Sequence, residues 1–281
     1  MNMLGLDVMN AQASRQTVSI RRALFNTAVL NTMLLSITSL VQAADVITLP
    51  GVTTSGNVTL STDYRFRGIS QTSNDPAIQG AISLNHESGL YGSLWVSNVA
   101  GASTAEIDAV LGYATKLNLI ANVSTTLDAG YIRYIYAGSG DTAPGSNQPD
   151  YQEVFARLGF ADRAVKGDNL LAGVNYSNDY FNKSDQFWYL SANYTAPITD
   201  TGFGLVAGVG YNLFKNSQMM NRALATTSTD DSYFDYKLGT SFGMQGLTTE
   251  LAWVETSLKD RECADKKACD GTLQLSISKI F

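Results

Sequence analysis

The chain has 281 residues, and its 19 Lys and Arg against 25 Asp and Glu give a net charge of −6. An acidic chain is repelled by a phosphate backbone, so nucleic acid is not an expected partner. The length fits a single domain. Glycine (24 residues) and tyrosine (14) are frequent, whereas proline (five) and cysteine (two) are scarce.

The N-terminus has the layout of a secretory signal peptide. Three arginines at positions 15, 21 and 22 precede an apolar run over 23–41, and the run ends in the small-residue pattern Val41-Gln42-Ala43. Cleavage is predicted after Ala43. A transmembrane helix is the alternative, but Asn26 and Asn31 interrupt a run that barely reaches spanning length. The expected organisation is a signal peptide at 1–43, an N-terminal periplasmic segment at 44–55 and one domain at 56–281.

The exported part is more acidic still, with a net charge of −8 once three arginines and one aspartate are removed. It holds no apolar run of the length that a spanning helix needs. What recurs instead is alternation with period two over about ten residues, interrupted by turn residues. If this part of the chain lies in a membrane, it does so as a β-barrel.

The first alternating segment shows the pattern. One predicted face, mostly apolar, holds Val58, Leu60, Thr62, Tyr64 and Phe66. The other face, entirely polar, holds Thr59, Ser61, Asp63, Arg65 and Arg67. In a soluble barrel or sandwich the apolar face points inward, and in a membrane barrel it points at lipid.

Three features favour the membrane. The chain ends in a strand whose last residue is Phe281, the expected C-terminal signal for the barrel-insertion machinery. Tyr and Trp cluster near segment ends, where aromatic girdles lie. The polar faces are rich in glycine and serine and lack the large side chains of a soluble surface. We therefore predict an all-β, transmembrane, antiparallel up-and-down β-barrel of about twelve strands, located in the cell outer membrane and surrounded by its lipid.

Twelve segments are predicted, and an even count puts both termini on the periplasmic side. The polar stretches 137–150, 215–232 and 258–271 are predicted to be outer loops. The short stretches 87–89 and 243–246 are predicted to be inner turns. The longer turns near 161–168 and 195–202 leave the count uncertain by two strands.

Charged residues on the predicted inner faces would line the lumen: they are Asp63, Arg65, Arg67, Glu106, Asp108, Asp128, Glu153, Arg157, Asp235, Lys237 and Glu250. One reading is a polar lumen whose charges select solutes, with the acidic excess predicting a mild preference for cations. The other is a set of salt bridges that brace and plug a narrow barrel. Eight strands leave an interior filled by side chains and sixteen leave a channel, so twelve strands allow both. Tyr91 and Trp95 also fall on the inner face and would narrow any path.

Enzyme activity is not expected. The chain has one histidine, His86, at the end of a predicted strand beside a turn, which does not suit a Ser/His nucleophile pair. Neither a phosphate-binding loop nor a His/Cys metal cluster is found in the sequence, and no cofactor is expected.

The two cysteines, Cys263 and Cys269, lie in a predicted outer loop. In the oxidising periplasm a disulfide between them is the default expectation. A metal site is the alternative, but two thiols without a nearby histidine make a poor one. A small ring at this position would act as a staple on the last outer loop, and a redox switch is the other reading.

Several stretches carry motifs that resemble those of a known protein family. The most specific is the opening strand, Val58-Thr59-Leu60-Ser61-Thr62-Asp63-Tyr64-Arg65-Phe66-Arg67-Gly68-Ile69-Ser70-Gln71, followed by Asp75-Pro76-Ala77-Ile78-Gln79-Gly80. The likeness continues through 92–99, 106–108, 179–181 and 235–236 to the cysteine pair. Together these stretches resemble the TorF family of porins, a group of proteobacterial outer-membrane proteins. The resemblance implies an outer-membrane β-barrel and a pore, and supplies no catalytic or ligand residues.

The leading hypothesis from the sequence is therefore a pore for passive diffusion of small hydrophilic solutes or ions. A closed structural barrel whose outer loops bind a partner is the second hypothesis, and a soluble secreted β-sandwich is the third.

Overall fold

The computed structural model of the chain describes residues 50–117, 124–138, 149–199, 201–259, 262–263 and 266–281. Within them, twelve antiparallel strands close into a barrel, and two short strands, β2 and β3, form a separate hairpin. Each barrel strand pairs with its neighbours along the chain, and β14 closes the barrel against β1. The predicted signal peptide and its cleavage site lie outside the described residues.

The strands are β1 (Val52–Ser61), β2 (Arg65–Phe66), β3 (Ile69–Ser70), β4 (Ala77–His86), β5 (Leu90–Asn98), β6 (Ala105–Leu117), β7 (Ser124–Ala137), β8 (Tyr151–Ala161), β9 (Asn169–Ser177), β10 (Phe187–Pro197), β11 (Phe203–Phe214), β12 (Ser232–Met244), β13 (Leu247–Thr256) and β14 (Thr272–Ile280). The prediction of an antiparallel up-and-down barrel of twelve strands is confirmed.

Alternation sorts the side chains of the barrel into two faces. The outer face exposes large apolar residues, such as Ile82 (52% exposed), Leu111 (66%) and Leu238 (62%). On each strand, the residues that alternate with these outer residues point into the lumen. Among them, Ser97, Glu106 and Glu153 are fully buried. This arrangement follows from the period-two pattern, because successive side chains of a strand point to opposite faces.

The connections differ between the two ends of the barrel. At one end, called here the loop end, they span 62–76, 99–104, 138–150, 178–186, 215–231 and 257–271. At the other, the turn end, they span 87–89, 118–123, 162–168, 198–202 and 245–246. The predicted long loops and short turns therefore fall on opposite ends, as the sequence pattern indicated.

The described helices are short and lie at the loop end. They are a 3₁₀ turn at Phe181–Lys183, a helix at Ser217–Leu224 and a helical turn at Lys266–Cys269. The side chain of Asn216 caps the second of these by accepting a hydrogen bond from the Met219 amide at 3.0 Å. Among the described residues, none of the helices combines the length and the apolar character needed to cross a membrane.

The first strand departs from the sequence prediction. It begins at Val52, within the segment 44–55 expected to precede the barrel, because all ten of its residues pair with β4. It ends at Ser61, and the chain then turns into the lumen instead of continuing as barrel wall to Arg67. Tyr64 and Phe66, predicted to face lipid, therefore lie inside: Tyr64 is 8% exposed.

The physical reason is a tight turn that the alternation does not reveal. Arg67 and Gly68 have positive φ angles of 50° and 82° and connect β2 to β3. Two such residues in succession make the type of turn whose twist suits a two-residue hairpin. Because a hairpin and a long strand share the same period of two, the prediction of a continuous strand over 58–67 was wrong.

Candidate functional site: the lumen of the barrel

The segment 62–76, called here the inward loop, folds into the lumen at the loop end. Its base is tied by the Asp63 carboxylate, which accepts hydrogen bonds from the hydroxyls of Ser70 (2.6 Å) and Thr72 (2.9 Å). The same carboxylate forms an ion pair of 2.6 Å with Arg65, and both side chains are at most 5% exposed. Polar contacts thus hold a loop in the space that a channel would occupy.

Arg65 also connects the inward loop to the last loop of the barrel. Its Nη1 donates to the carbonyl oxygens of Ala268 at 3.2 Å and Asp270 at 2.7 Å. These two residues flank Cys269, which is bonded to Cys263 with a Cα–Cα distance of 6.4 Å. The predicted staple therefore lies directly against the anchor of the inward loop.

The tip of the hairpin lies close to the wall strands β12 and β13. A Cβ atom added to Gly68 would lie 2.5 Å from Thr256 Cγ2 and 2.9 Å from Asp235 Cβ. The hydroxyl of Tyr233 donates to the Arg67 carbonyl oxygen at 3.2 Å. At position 68 only glycine fits, because the positive φ is combined with a close approach that leaves no room for a Cβ atom.

The side chain of Arg67 extends from the tip to the far wall. Its Nη2 lies 2.8 Å from Glu153 Oε2, and the two side chains are 4% and 0% exposed. Its guanidinium carbon lies 4.3 Å from the ring centre of Tyr189, 4.7 Å from that of Phe187 and 5.6 Å from that of Tyr180. Arg67 is thus held by one carboxylate and several aromatic faces.

Aromatic rings continue this layer towards the loop end. Tyr134 stacks on Tyr151 with ring centres 4.2 Å apart, and Tyr180 stacks on Phe187 at 4.0 Å. The buried cluster inside the barrel also includes the disulfide. Together with the inward loop, it occupies the loop half of the lumen, where a pocket of about 360 Å³ remains between the inward loop, the aromatic rings and the disulfide.

The turn half of the lumen holds ion pairs that are more exposed than those of the loop half. Lys237 and Glu250 pair at 2.9 Å with 35% and 28% of their side chains exposed. Arg157 and Asp128 lie 3.7 Å apart with 32% and 24% exposed. A pocket of about 310 Å³ lies beside Asp128, lined largely by small and polar residues. Water therefore reaches these ion pairs, in contrast to the Arg67–Glu153 pair.

The structure places all eleven predicted lumen residues inside the barrel, but in two groups. The turn half holds Asp128, Arg157, Lys237 and Glu250. The loop half holds Asp63, Arg65, Arg67, Glu106, Asp108, Glu153 and Asp235. The acidic excess therefore lies wholly in the loop half, around the inward loop.

Other polar contacts complete the loop half. The hydroxyl of Tyr64 donates to Glu106 Oε1 at 3.3 Å. Asn212 Nδ2 donates to Asp235 Oδ2 at 2.7 Å. Buried atoms Glu106 Oε2 and Asp108 Oδ1 have no hydrogen-bond partner among the described residues. Buried polar atoms are rarely unsatisfied, so we expect ordered water beside these carboxylates.

Sequence reasoning missed the aromatic residues around Arg67. Tyr180 lies in a loop, outside any alternating pattern, whereas Phe187 and Tyr189 alternate with outward residues of β10. The alternation of β10 could have assigned these two to the lumen. Their contact with Arg67 could not have been found, because it depends on the hairpin tip crossing the barrel.

Two further predicted residues lie at the turn end. The backbone of Phe281 exchanges hydrogen bonds of 2.8 and 2.9 Å with Gly56. The last residue therefore extends the backbone pairing between β1 and β14. His86 Nδ1 lies 2.8 Å from the Ser88 hydroxyl and accepts from the Ser88 amide at 3.1 Å, both within an exposed turn. These are local turn contacts.

Solved barrel structures show a distant similarity to this chain. The KdgM porin in complex with disordered oligogalacturonate matches with a TM-score of 0.49 and 9% identity, covering 82% of this chain and 99% of that one. OpdL of Pseudomonas aeruginosa matches at 0.43 and 12%, covering 83% and 68%. LpxR from Salmonella typhimurium matches at 0.44 and 9%, covering 81% and 99%. At such identities and TM-scores, no functional property is transferred.

A comparison with curated protein sequences found no match. A family model described as "Bacterial protein of unknown function (Gcw_chp)" matches residues 48–281, which include the whole barrel. The description of this family does not name the TorF porins. The chain belongs to the Gcw_chp family of bacterial proteins.

Proposed function

We propose that this chain is an integral outer-membrane protein that forms a pore for small hydrophilic solutes or ions, and that the inward loop closes the pore in this conformation. The partners of the proposal are outer-membrane lipid, the barrel-insertion machinery and the solutes themselves. The proposal has two parts, the membrane location and the pore, and separate observations support them.

The outer surface supports the membrane location. Large apolar side chains that are 36–72% exposed cover the strands, which a water-soluble barrel would not leave uncovered. Aromatic pairs lie at both ends of this surface: Tyr176 with Trp188 near the loop end, and Phe203 with Phe242 near the turn end. Two aromatic girdles around an apolar band are typical of transmembrane barrels. Strands of 9 to 14 residues are also long enough to span a bilayer.

One observation supports the proposal that the barrel forms a pore. The loop half of the lumen is occupied by a loop that is held by hydrogen bonds, ion pairs and ring contacts, whereas the turn half keeps exposed ion pairs and a polar pocket. A barrel filled by side chains of its own strands would need no such loop. A loop that can leave without breaking a strand ladder fits a channel that opens and closes.

The test is single-channel conductance in a planar lipid bilayer, with two proteins compared. One is the wild type, and the other has Arg65–Ser70 replaced by two glycines, which removes the hairpin but leaves every barrel strand intact. Gly243→Ala serves as the control, since its added methyl group meets no atom within 4 Å. Folding of each protein is checked by its heat-dependent shift on a gel.

We expect rare or no current steps from the wild type and the control, and discrete steps from the protein without the hairpin. Frequent current steps from the wild type would support the pore but refute its closure by the inward loop. Folded proteins that are all electrically silent would refute the pore. For the open variant, a reversal potential of anion-selective sign would contradict the cation preference expected from the acidic excess.

A closed structural barrel is the second candidate. The fully buried Arg67–Glu153 pair and the aromatic layer favour it, because they resemble a permanent core more than a water-filled path. In that case the hairpin-free protein would lose stability and gain no conductance.

A further inference from the structure

Arg67 occupies a surround that is shaped for a cation. Three rings contributed by other parts of the chain, those of Tyr180, Phe187 and Tyr189, lie within 5.6 Å of its guanidinium carbon. The carboxylate of Glu153 completes the surround at 2.8 Å. A buried carboxylate together with several aromatic faces is the combination that binds organic cations in proteins. Arg67 is therefore bound as a ligand would be.

Contacts that do not involve Arg67 hold this surround in place. Glu153 Oε2 also accepts hydrogen bonds from Asn175 Nδ2 at 2.8 Å and from the Tyr134 hydroxyl at 3.3 Å. Tyr180 stacks on Phe187, and the Tyr189 hydroxyl donates to Asp235 at 3.3 Å. The barrel wall and the loop before β10 thus build the site, and the hairpin only fills it.

Arg67 does not use the full capacity of the site. Its Nε and Nη1 atoms and the Oε1 atom of Glu153 are buried without hydrogen-bond partners among the described residues. A guanidinium can donate five hydrogen bonds and a carboxylate can accept two from one fork. The position of Arg67 is fixed by its tether at the hairpin tip, whereas a free cation could turn to pair with both carboxylate oxygens.

We propose that Glu153, Tyr180, Phe187 and Tyr189 form a binding site for an organic cation and that Arg67 is its internal occupant. The ligand class is a small molecule bearing a guanidinium or an alkylated ammonium group, which pairs with the carboxylate and lies against the rings. Such a molecule competes with Arg67, so its binding favours withdrawal of the hairpin. Only this last step rests on the proposed pore.

The experiment is chemical rescue in detergent solution, which needs no membrane current. Arg67→Ala empties the site, and methylguanidinium chloride is the probe, with potassium chloride at equal ionic strength as the reference. The thermal unfolding midpoint and the refolding yield are both measured. Arg67→Ala combined with Glu153→Gln removes the carboxylate charge. Arg157→Ala is the matched control, because Arg157 also contacts one carboxylate and one aromatic ring but is about one-third exposed.

We expect methylguanidinium, at about ten times its Kd, to raise the midpoint of Arg67→Ala by about 4 °C or to restore its refolding. The double variant and Arg157→Ala should show no such shift. An Arg67→Ala protein that folds but does not respond overturns the proposal. Failure of Arg67→Ala to refold in either salt would also overturn the proposal. A response to methylguanidinium equal to that of the double variant would do the same. Rescue of Arg67→Ala together with an electrically silent hairpin-free protein would support the binding site and refute the pore.

Discussion

The guanidinium of Arg67 and the carboxylate of Glu153 meet at 2.8 Å inside the barrel, although 86 residues separate them in the chain. Arg67 lies at the tip of a hairpin and Glu153 on the wall strand β8. The pair therefore forms only when the inward loop lies in the lumen, and it connects that loop to the barrel wall.

Removing one member of this pair should be far more damaging than removing both. Arg67→Ala leaves a buried carboxylate without its counter-charge, and we expect the free energy of unfolding to fall by about 3–5 kcal/mol. Arg67→Met with Glu153→Gln should recover a large part of that loss. Urea is the denaturant of choice, because guanidinium could itself bind the site.

The exposed pair Arg157–Asp128 supplies the control for that measurement. Its atoms lie 3.7 Å apart with about a third and a quarter of the side chains exposed, so Arg157→Ala should change stability by about 1 kcal/mol or less. Equal losses for Arg67→Ala and Arg157→Ala would contradict the burial of the first pair.

Gly68→Ala should displace the hairpin. The added methyl carbon would lie 2.5 Å from Thr256 Cγ2 and 2.9 Å from Asp235 Cβ, and the positive φ of 82° adds strain. We expect greater accessibility of a cysteine placed at Phe66 to a thiol reagent in the Gly68→Ala background. Gly243→Ala is the matched glycine control, and equal labelling rates in the two backgrounds would argue against the close approach at the tip.

The disulfide should stabilise both the last loop and the inward loop. The chain-entropy model gives about 2 kcal/mol for so short a ring, so replacing both Cys263 and Cys269 by serine should lower the free energy of unfolding by that amount. Because Arg65 donates to the carbonyls of Ala268 and Asp270, the replacement should also loosen the hairpin. Two reactive thiols in the unreduced wild type would rule out the staple.

Stability should depend on pH through Asp168 in the turn 162–168. Burial alone would raise its pKa, but the amides of Ala164, Val165 and Arg163 and the Tyr194 hydroxyl donate to it and lower the pKa from 3.8 to about 2. A lowered pKa in the folded state stabilises the protein at pH values above the ordinary pKa, and this contribution disappears as the pH falls to about 2.

We therefore expect Asp168→Ala to lower the thermal midpoint at pH 7, with the difference from the wild type shrinking between pH 4 and 2. Asp230→Ala, at an exposed position, is the control and should be neutral. If the difference in midpoint between Asp168→Ala and the wild type did not change with pH, the stabilisation of the turn by an ionised Asp168 would be contradicted.

The sequence by itself determined the barrel. Its period-two alternation assigns Ile78, Ile82 and Leu84 to the outer face and Gln79 and Ser83 to the lumen, and the structure has them there. This works because the pleat of a strand sends alternate side chains to opposite faces whatever the strand's neighbours are. The same alternation indicated which end would carry the long loops.

Only the tertiary structure decided what happens inside. The run from Asp63 to Arg67 alternates as well in a hairpin as in a wall strand, so its pattern cannot distinguish a lining from a plug. The meeting of Arg67 with Glu153, Phe187 and Tyr189 depends on barrel closure and register, which bring distant strands across from one another. Local periodicity carries no information about such contacts, because they are set by the curvature of the whole sheet.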